Sequence, residues 1–299
     1  MKFKIYKINI SDEIIENKGT KEKYWIKLNN KDCLVKFNMY LNHDYKEDLR
    51  SWNVSEKIFS EISRHLGFNC VKTDFICDEK GRYGIASYDY RNNNIKFVSS
   101  GDDLFYSVFG RNSKMSGKNI SKEDYTYNNI IKILLHYDEE GNLLKKFNSI
   151  MVIDALFGEG DRHYENWGIY KDINNNYELL PMYDNSSCLL HLLRDNVSLE
   201  RFDESKMDIY VRKSKCKISI DGKIYFHFDF IKYLLDNLPE YFKENLITDI
   251  KNLNNLEDKY IDELILKIPN EVCNERHKKL ISKFIKLRRD ILLSMVVDL

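Results

Sequence analysis

Apolar and polar residues alternate along most of the first ninety positions, and this pattern predicts a small β-sheet. An Asn-rich turn separates two of the alternating segments, which is typical of a β-hairpin. The predicted strands are residues 1–10, 24–28, 33–37, 71–76 and 83–88. One stretch, 54–66, has helical spacing instead, with Asn53 as a predicted N-cap and Gly67 as a predicted C-cap.

Beyond residue 90 the apolar spacing becomes mainly helical. One further hairpin is predicted, between 167–170 and 177–180 across an Asn-rich turn. The predicted helices are 99–109, 121–135, 145–158, 229–237, 240–252, 256–268 and 275–297. We therefore expect an α+β protein with a small β-rich lobe carrying one helix at 1–90 and a larger, mostly helical lobe at 91–299.

Amino-acid composition limits the classes of protein to which this chain can belong, but it does not indicate a function. The 299 residues carry 47 basic and 47 acidic side chains, and this balance argues against a dedicated polyanion binder. The basic residues of the last helix are expected to form a solvated face rather than a nucleic-acid site. Six cysteines without a CxxC pair are typical of thiols in a reducing compartment. No signal peptide or membrane span is predicted, so we expect a cytoplasmic protein.

A polar cluster follows the predicted helix at 145–158. Asp161-Arg162-His163 comes first, Asn166 lies five residues after the Asp, and Asp184 follows the next hairpin. Antiparallel pairing of that hairpin should bring Asn166 close to Asp184. One carboxylate and one amide suit Mg²⁺, with Asp161 left as a base, which favours phosphoryl transfer. A metal hydrolase built on Asp161, His163 and Asp184 is the alternative.

The N-terminal sheet offers a cation for the same chemistry. Lys36 lies between Val35 and Phe37 on a predicted strand, so strand alternation directs it to the face opposite those two side chains. An acid of the following helix, Glu56 or Glu61, is available to pair with it. Glu56 also has a structural explanation, since it lies three residues after Asn53 as in a capping box.

Five of these segments, in this order, resemble the HipA-like serine/threonine kinases. They are Gly19-Thr20-Lys21-Glu22-Lys23, Leu34-Val35-Lys36-Phe37, Ser55-Glu56 through Leu66-Gly67, Gly160 through Gly168, and Pro181-Met182-Tyr183-Asp184-Asn185. The resemblance spans about residues 17–190 and implies a bilobal, protein-kinase-like fold. It is greatest to the short, stand-alone type that includes the pro-inflammatory CtkA-like kinases, because the N-terminal subdomain of the HipA toxins has no counterpart in this sequence.

The resemblance also implies roles for individual residues. Asp161 matches the catalytic Asp, Asn166 and Asp184 match the metal ligands, Lys36 matches the Lys that holds the α- and β-phosphates, and Glu56 rather than Glu61 matches its partner. ATP and Mg²⁺ are the implied cofactors.

Further positions match the nucleotide-binding and supporting parts of the family. The loop over the phosphates corresponds to Gly19, Thr20, Lys21, Glu22 and Lys23. Backbone atoms of Ala86 and Tyr88 would meet adenine, and His163 would support the catalytic loop. The family phosphorylates itself in the phosphate loop, and Thr20 is the nearest hydroxyl in this chain.

Partners follow from the same resemblance. The expected substrate is a protein with an acceptor Ser or Thr, and neither nucleic acid nor a membrane is expected to bind. An antitoxin partner and secretion as an effector are left open. A nucleotide-binding pseudokinase and a small-molecule kinase are the alternative functions.

Overall fold

The computed structural model describes residues 1–10, 14–16, 23–37, 52–110, 120–121, 123–191, 193 and 200–299. These residues form two compact units. The first contains Met1–Tyr90, Asn185–Met207 and Leu256–Lys286, and the second contains Arg91–Asp184, Asp208–Asn255 and Leu287–Leu299. Neither unit is continuous in sequence, so each is described by its elements. The assignment of 1–90 and 91–299 to two functional lobes stays a prediction.

The described strands and helices are numbered in chain order. The strands are β1 (Ile5–Ile8), β2 (Ile14–Glu16), β3 (Lys23–Leu28), β4 (Lys31–Phe37), β5 (Thr73–Asp78), β6 (Tyr83–Tyr88), β7 (Ile95–Ser100), β8 (Gly168–Asp172), β9 (Tyr177–Leu179), β10 (Lys215–Ile220) and β11 (Lys223–Phe226). The helices are α1 (Trp52–His65), α2 (Gly101–Phe109), α3 (Tyr127–Tyr137), α4 (Asn142–Phe157), α5 (Met207–Tyr210), α6 (His227–Asn237), α7 (Glu240–Asn252), α8 (Asp258–Leu266) and α9 (Glu275–Ser294).

A six-stranded sheet with the order β1-β5-β6-β4-β3-β2 forms the body of the first unit. Only β1 and β5 pair in parallel; the other neighbours are antiparallel. The predicted hairpin is confirmed as β3–β4, and its turn residues Asn29 and Asn30 both adopt positive φ. One face of the sheet forms an apolar core of Ile26, Leu28, Cys33, Val35, Phe37, Ile76, Ala86 and Tyr88.

Helix α1 confirms the single helix predicted beside this sheet, but it begins earlier than expected. It starts at Trp52, so the predicted N-cap at Asn53 is wrong: Asn53 lies in the first turn, and its Oδ1 accepts a bond from the Val54 amide at 2.8 Å. Its end is as predicted. Gly67 has φ of 83°, a left-handed conformation that costs glycine little, and the Phe68 amide donates back to Ser63 O.

The second unit contains the three-stranded sheet β7-β8-β9 and the hairpin β10–β11. The predicted hairpin at 167–180 is confirmed as β8–β9. Strand β7 and the β10–β11 hairpin were not predicted from the sequence pattern. Helix α3 begins at Tyr127 rather than at residue 121, because Thr126 is its N-cap and accepts a hydrogen bond from the Asn129 amide.

The basic face expected on the last helix is only partly solvated. Lys278 is 2% exposed and donates to Asn270 and Glu275. Arg288 is fully buried, donates to Ala155 O at 2.7 Å and to Val211 O, and lies over the Phe228 ring. These two side chains therefore hold the helix in place rather than forming an open basic surface.

Two further expectations concern thiols and membranes. All six cysteines are buried and none forms a disulfide. Within the described residues, no helix combines the length and the apolar composition needed to cross a membrane.

Candidate active site

Lys36 and Glu56 form the predicted ion pair of the first unit. Lys36 Nζ donates to Glu56 Oε1 at 3.2 Å, and both side chains are buried. Glu56 Oε2 accepts a bond from Ser87 Oγ at 3.4 Å. The neighbours of Lys36 on β4, Val35 and Phe37, belong to the apolar core, so strand alternation directs the ammonium to the opposite face as expected. The predicted capping role of Glu56 is wrong, because its carboxylate is engaged with the sheet.

Helix α1 holds Glu56 in register because its next turn is bonded to the chain around β5. Lys57 Nζ donates to Thr73 O at 2.6 Å and to Asp74 Oδ1 at 3.0 Å, and Ser60 Oγ donates to Val71 O at 2.6 Å. The other candidate partner of Lys36, Glu61, accepts from Lys57 at 2.7 Å instead. The choice between the two acids is thus resolved in favour of Glu56.

Most of the predicted phosphate loop lies outside the described residues. Only its last member, Lys23, is placed, at the start of β3 opposite Lys36 of β4. Gly19, Thr20, Lys21 and Glu22 are not among the residues described. Their role over the phosphates stays a prediction.

The two residues predicted to meet adenine lie in β6, between β4 and β5. Ala86 pairs with Val35 on one side and Asp74 on the other. The Tyr88 amide donates to Lys72 O at 2.9 Å. An adenine contact through the Tyr88 amide would require that bond to break, and the adenine role of both residues stays a prediction.

In the second unit, the segment after α4 positions Asp161. Gly158 ends the helix with φ of 68°, and the Asp161 amide then donates to Glu159 Oε1 at 2.8 Å. Asn166 Nδ2 donates to the Asp161 carbonyl at 2.8 Å, which closes the loop. The Asp161 backbone is therefore held from both sides, while its carboxylate remains 44% exposed and accessible to a substrate.

Two basic side chains lie near the Asp161 carboxylate. His163 Nε2 is 4.0 Å from Oδ2, and Lys217 Nζ, from strand β10, is 3.8 Å from Oδ1. His163 Nδ1 accepts the Glu165 amide at 3.1 Å, so Nε2 carries the proton of the neutral ring. His163 therefore directs its N–H toward Asp161, and its role in supporting the loop stays a prediction.

Arg162 was overlooked in the sequence and is the most connected residue of this segment. It is buried and bonds Asp154 through two nitrogens, Nε to Oδ2 at 2.9 Å and Nη2 to Oδ1 at 2.7 Å. Its Nη1 donates to Asn166 O at 2.9 Å and to Tyr183 O at 3.3 Å. The Arg162 guanidinium thus links Tyr183, which precedes Asp184, to Asn166. Asn166 and Asp184 are the two predicted metal ligands. A signal existed: Asp154 is a lone acid in an otherwise apolar helical run.

Asn166 comes just before strand β8 and Asp184 comes after strand β9, so both lie on the side of this hairpin away from its turn. The Leu180 amide donates to Gly168 O at 2.9 Å, which extends the pairing toward both residues. Asn166 uses Nδ2 toward Asp161, so its Oδ1 is the atom that can bind a metal. Asp184 adopts φ of 54°, an uncommon conformation outside glycine that is often found at functional sites.

The donor set fits Mg²⁺ better than zinc. No group of three or more His, Cys, Asp and Glu side chains suited to a metal occurs among the residues that the structure describes. One carboxylate and one amide oxygen match a magnesium ion that also binds water and substrate phosphates. The assignment of Asn166 and Asp184 as its ligands stays a prediction.

Two buried titratable groups, Glu159 and His227, lie next to the segment that carries Asp161. Burial raises the pKa of Glu159 to about 8, with Asp154 adding to the effect and Arg162 opposing it. Burial lowers the pKa of His227 to about 3, so its ring is neutral. His227 Nε2 lies 3.0 Å from Glu159 O, which can only accept, so Nε2 carries the proton and Nδ1 accepts from Ser214 Oγ at 3.0 Å.

Comparison with known proteins now identifies the family. Residues 7–239 match the HipA-like C-terminal domain. The chain belongs to this family. Among sequence relatives of this HipA-like chain, the serine/threonine-protein kinase CtkA of Helicobacter pylori strain J99 is 27% identical over 241 residues, covering 76% of this chain and 70% of CtkA.

Solved structures agree on the fold. The H. pylori proinflammatory kinase CtkA superposes with a TM-score of 0.77 at 19% identity, over 98% of both chains. HipA of Shewanella oneidensis MR-1, solved with HipB and operator DNA, gives a TM-score of 0.59 at 16% identity over 95% of this chain and 67% of HipA. The predicted α+β, kinase-like fold and the HipA-like, CtkA-type resemblance are therefore confirmed.

Proposed function

We propose that this HipA-like chain is a serine/threonine protein kinase that uses ATP and Mg²⁺. The observation that supports this most is the held catalytic segment, in which the Asp161 backbone is fixed from both sides and the carboxylate stays accessible. The second unit also carries Asn166 and Asp184, and the first unit carries the Lys36–Glu56 pair. Kinases of this kind require all of these parts.

The proposed reaction transfers the terminal phosphoryl group of ATP to a Ser or Thr hydroxyl. The acceptor O–H bond breaks as its proton moves to the Asp161 carboxylate, and the acceptor oxygen forms a bond to the γ-phosphorus. The bond from that phosphorus to the β–γ bridging oxygen breaks, and ADP leaves. The proposed role of Asp161 as general base is supported by its carboxylate, which takes no part in the two bonds that hold its backbone and is 44% exposed.

The remaining residues bind and orient the nucleotide. Lys36, held by Glu56, would bind the α- and β-phosphates, while Asn166 Oδ1 and the Asp184 carboxylate would hold Mg²⁺. When bound, the ion neutralises charge on the phosphates and fixes their orientation. We also propose that the chain phosphorylates itself within residues 19–23, with Thr20 as the acceptor.

Incubation with labelled ATP, Mg²⁺ and a general protein acceptor tests this proposal. We expect label on the chain and on the acceptor, and mapping should find Thr20 among the labelled residues. Asp161→Asn should lower the transfer rate by about 10²- to 10⁴-fold, because a general base contributes that much. Nucleotide binding should persist in this variant.

Asp236→Asn is a matched control, since it makes the same change on an exposed part of α6 and should leave transfer unaltered. Transfer by Asp161→Asn at the wild-type rate would exclude Asp161 as the base. Binding of Mg–ATP without transfer to the chain itself or to any acceptor would favour the nucleotide-binding pseudokinase.

A further inference from the structure

Strand β10 is fixed on the segment that carries Asp161. Ser219 binds the Tyr125 carbonyl twice, through its amide at 3.1 Å and its hydroxyl at 3.2 Å. The Tyr125 hydroxyl in turn donates to the Arg162 carbonyl at 2.8 Å and accepts from Trp167 Nε1 at 2.9 Å. The side-chain bonds of this group are all buried, so the strand and the segment that carries Asp161 are joined by a short chain of hydrogen bonds.

This chain of bonds places Lys217, two residues before Ser219, beside the candidate base. Its Nζ lies 3.8 Å from Asp161 Oδ1, and its side chain is 51% exposed. The other lysines of the hairpin have aromatic neighbours instead: Lys215 lies over Phe226 and Lys223 lies over Tyr225. Lys217 is therefore the lysine of this hairpin that can bind a group held by the Asp161 carboxylate.

The position of Lys217 suggests what it binds. A hydroxyl that gives its proton to Asp161 must come within about 2.6–3.2 Å of a carboxylate oxygen, and the phosphorus it attacks lies about 3–3.5 Å from that hydroxyl. Both distances are short compared with the reach of a half-exposed lysine side chain. We propose that Lys217 binds the terminal phosphate of a nucleoside triphosphate and follows it during transfer.

This proposal deepens the kinase function and rests on it. As the acceptor proton moves to Asp161 and the β–γ bridging bond breaks, negative charge is spread over the oxygens of the transferring group. An ammonium is a compact charge on a flexible stem, so Lys217 can leave the carboxylate for those oxygens without moving the strand. The resting ion pair is weak at this exposure, so little is lost when the lysine changes partner.

Nucleotide binding and phosphoryl transfer by Lys217→Ala test the proposal together. The first measurement compares Kd for a non-hydrolysable ATP analogue with Kd for ADP, both with Mg²⁺. We expect Lys217→Ala to lose about tenfold or more of the wild-type preference for the triphosphate, since a hydrogen bond to a charged group contributes that much. Affinity for ADP should stay within about twofold, and the transfer rate should fall by at least the same factor as the preference.

Two further variants separate phosphate binding from a structural role. Lys217→Arg keeps a cationic donor for phosphate and should restore most of the triphosphate preference. Lys223→Ala removes another lysine of the same hairpin and should behave as wild type. The midpoint of thermal unfolding should be the same in all these variants, because exposed ion pairs contribute little to stability.

The outcomes distinguish this proposal from the proposed function. A wild-type chain that prefers the triphosphate but transfers no phosphate overturns the kinase function, while loss of that preference in Lys217→Ala still supports phosphate binding by Lys217. A Lys217→Ala chain with wild-type preference and wild-type transfer overturns the role of Lys217 alone. A wild-type chain that binds the triphosphate no better than ADP also overturns the role of Lys217.

Discussion

At the scale of single residues, the buried pair of Arg162 and Asp154 holds the segment that carries Asp161. Breaking a buried ion pair by removing one partner typically costs about 3–5 kcal/mol, because the other charge stays buried without compensation. We therefore expect Arg162→Leu to lower the free energy of unfolding by about 3–5 kcal/mol. Urea denaturation followed by circular dichroism measures this change.

The double variant Asp154→Leu/Arg162→Leu should be more stable than Arg162→Leu alone, because no buried charge is then left unpaired. The exposed pair Lys259–Glu263 provides the control, and replacing Lys259 by Leu should change stability by less than about 0.5 kcal/mol. A cost below about 1 kcal/mol for Arg162→Leu would mean that the pair does not organise the segment.

Glu159 should make stability depend on pH in the opposite sense to an ordinary acid. Burial raises its pKa from 4.5 to about 8, so the folded chain keeps a proton that the unfolded chain releases. This contribution to stability is complete below pH 4.5 and is lost as the pH rises toward 8, at no more than about 1.4 kcal/mol per pH unit. Glu159→Gln should flatten the dependence.

Other buried groups set the pH window for this measurement. Burial raises the pKa of Asp249 to about 6, so Asp249 also makes stability fall as the pH rises. Most of this contribution has already been lost by pH 7. Burial lowers the pKa of His227 to about 3 and of His277 to about 4, and both act in the opposite direction below pH 6.5. The difference between wild type and Glu159→Gln in unfolding free energy at pH 7 and pH 8 therefore reports on Glu159, and equal slopes in the two chains would contradict the assignment.

At the scale of elements, sequence patterns predicted what local chemistry determines. The β3–β4 turn was predictable because Asn29 and Asn30 tolerate positive φ, and α1 ends where Gly67 requires it to end. The β10–β11 hairpin carried a comparable signal that was missed: Asp221-Gly222 separates its strands, and both residues have positive φ. Strand β7 had a weaker signal, since Phe97 is 61% exposed and breaks the expected alternation.

The candidate site divides in the same way. Residue types and spacing predicted Lys36, Asp161, Asn166 and Asp184 as candidates, and the resemblance to the HipA-like kinases selected Glu56 over Glu61. The contacts around Asp161 were not predictable from spacing, since they depend on which side chains are buried and on how the elements pack. Asp154 meets Arg162 only because α4 is buried, and Lys217 meets Asp161 only because Ser219 binds Tyr125.

At the scale of the whole molecule, the chain returns to its first unit after leaving it. Segments Asn185–Met207 and Leu256–Lys286 belong to that unit together with Met1–Tyr90. The Phe3 amide donates to Lys267 O at 2.6 Å, His65 stacks on Tyr260 at 3.8 Å, and Ser55 Oγ donates to Cys188 O at 3.0 Å. The β-sheet and α1 therefore do not complete their packing within the first ninety residues.

A fragment ending at residue 90 should consequently fail to fold by itself. It lacks the segments that cover α1 and the N-terminal residues, and a ninety-residue chain buries too little apolar surface to lose such contacts without unfolding. We expect the 1–90 fragment to show no cooperative urea transition, whereas addition of the 91–299 fragment should restore one by supplying the missing segments. A sigmoidal transition of the 1–90 fragment alone would show that this β-rich part folds without the two later segments and would contradict this prediction.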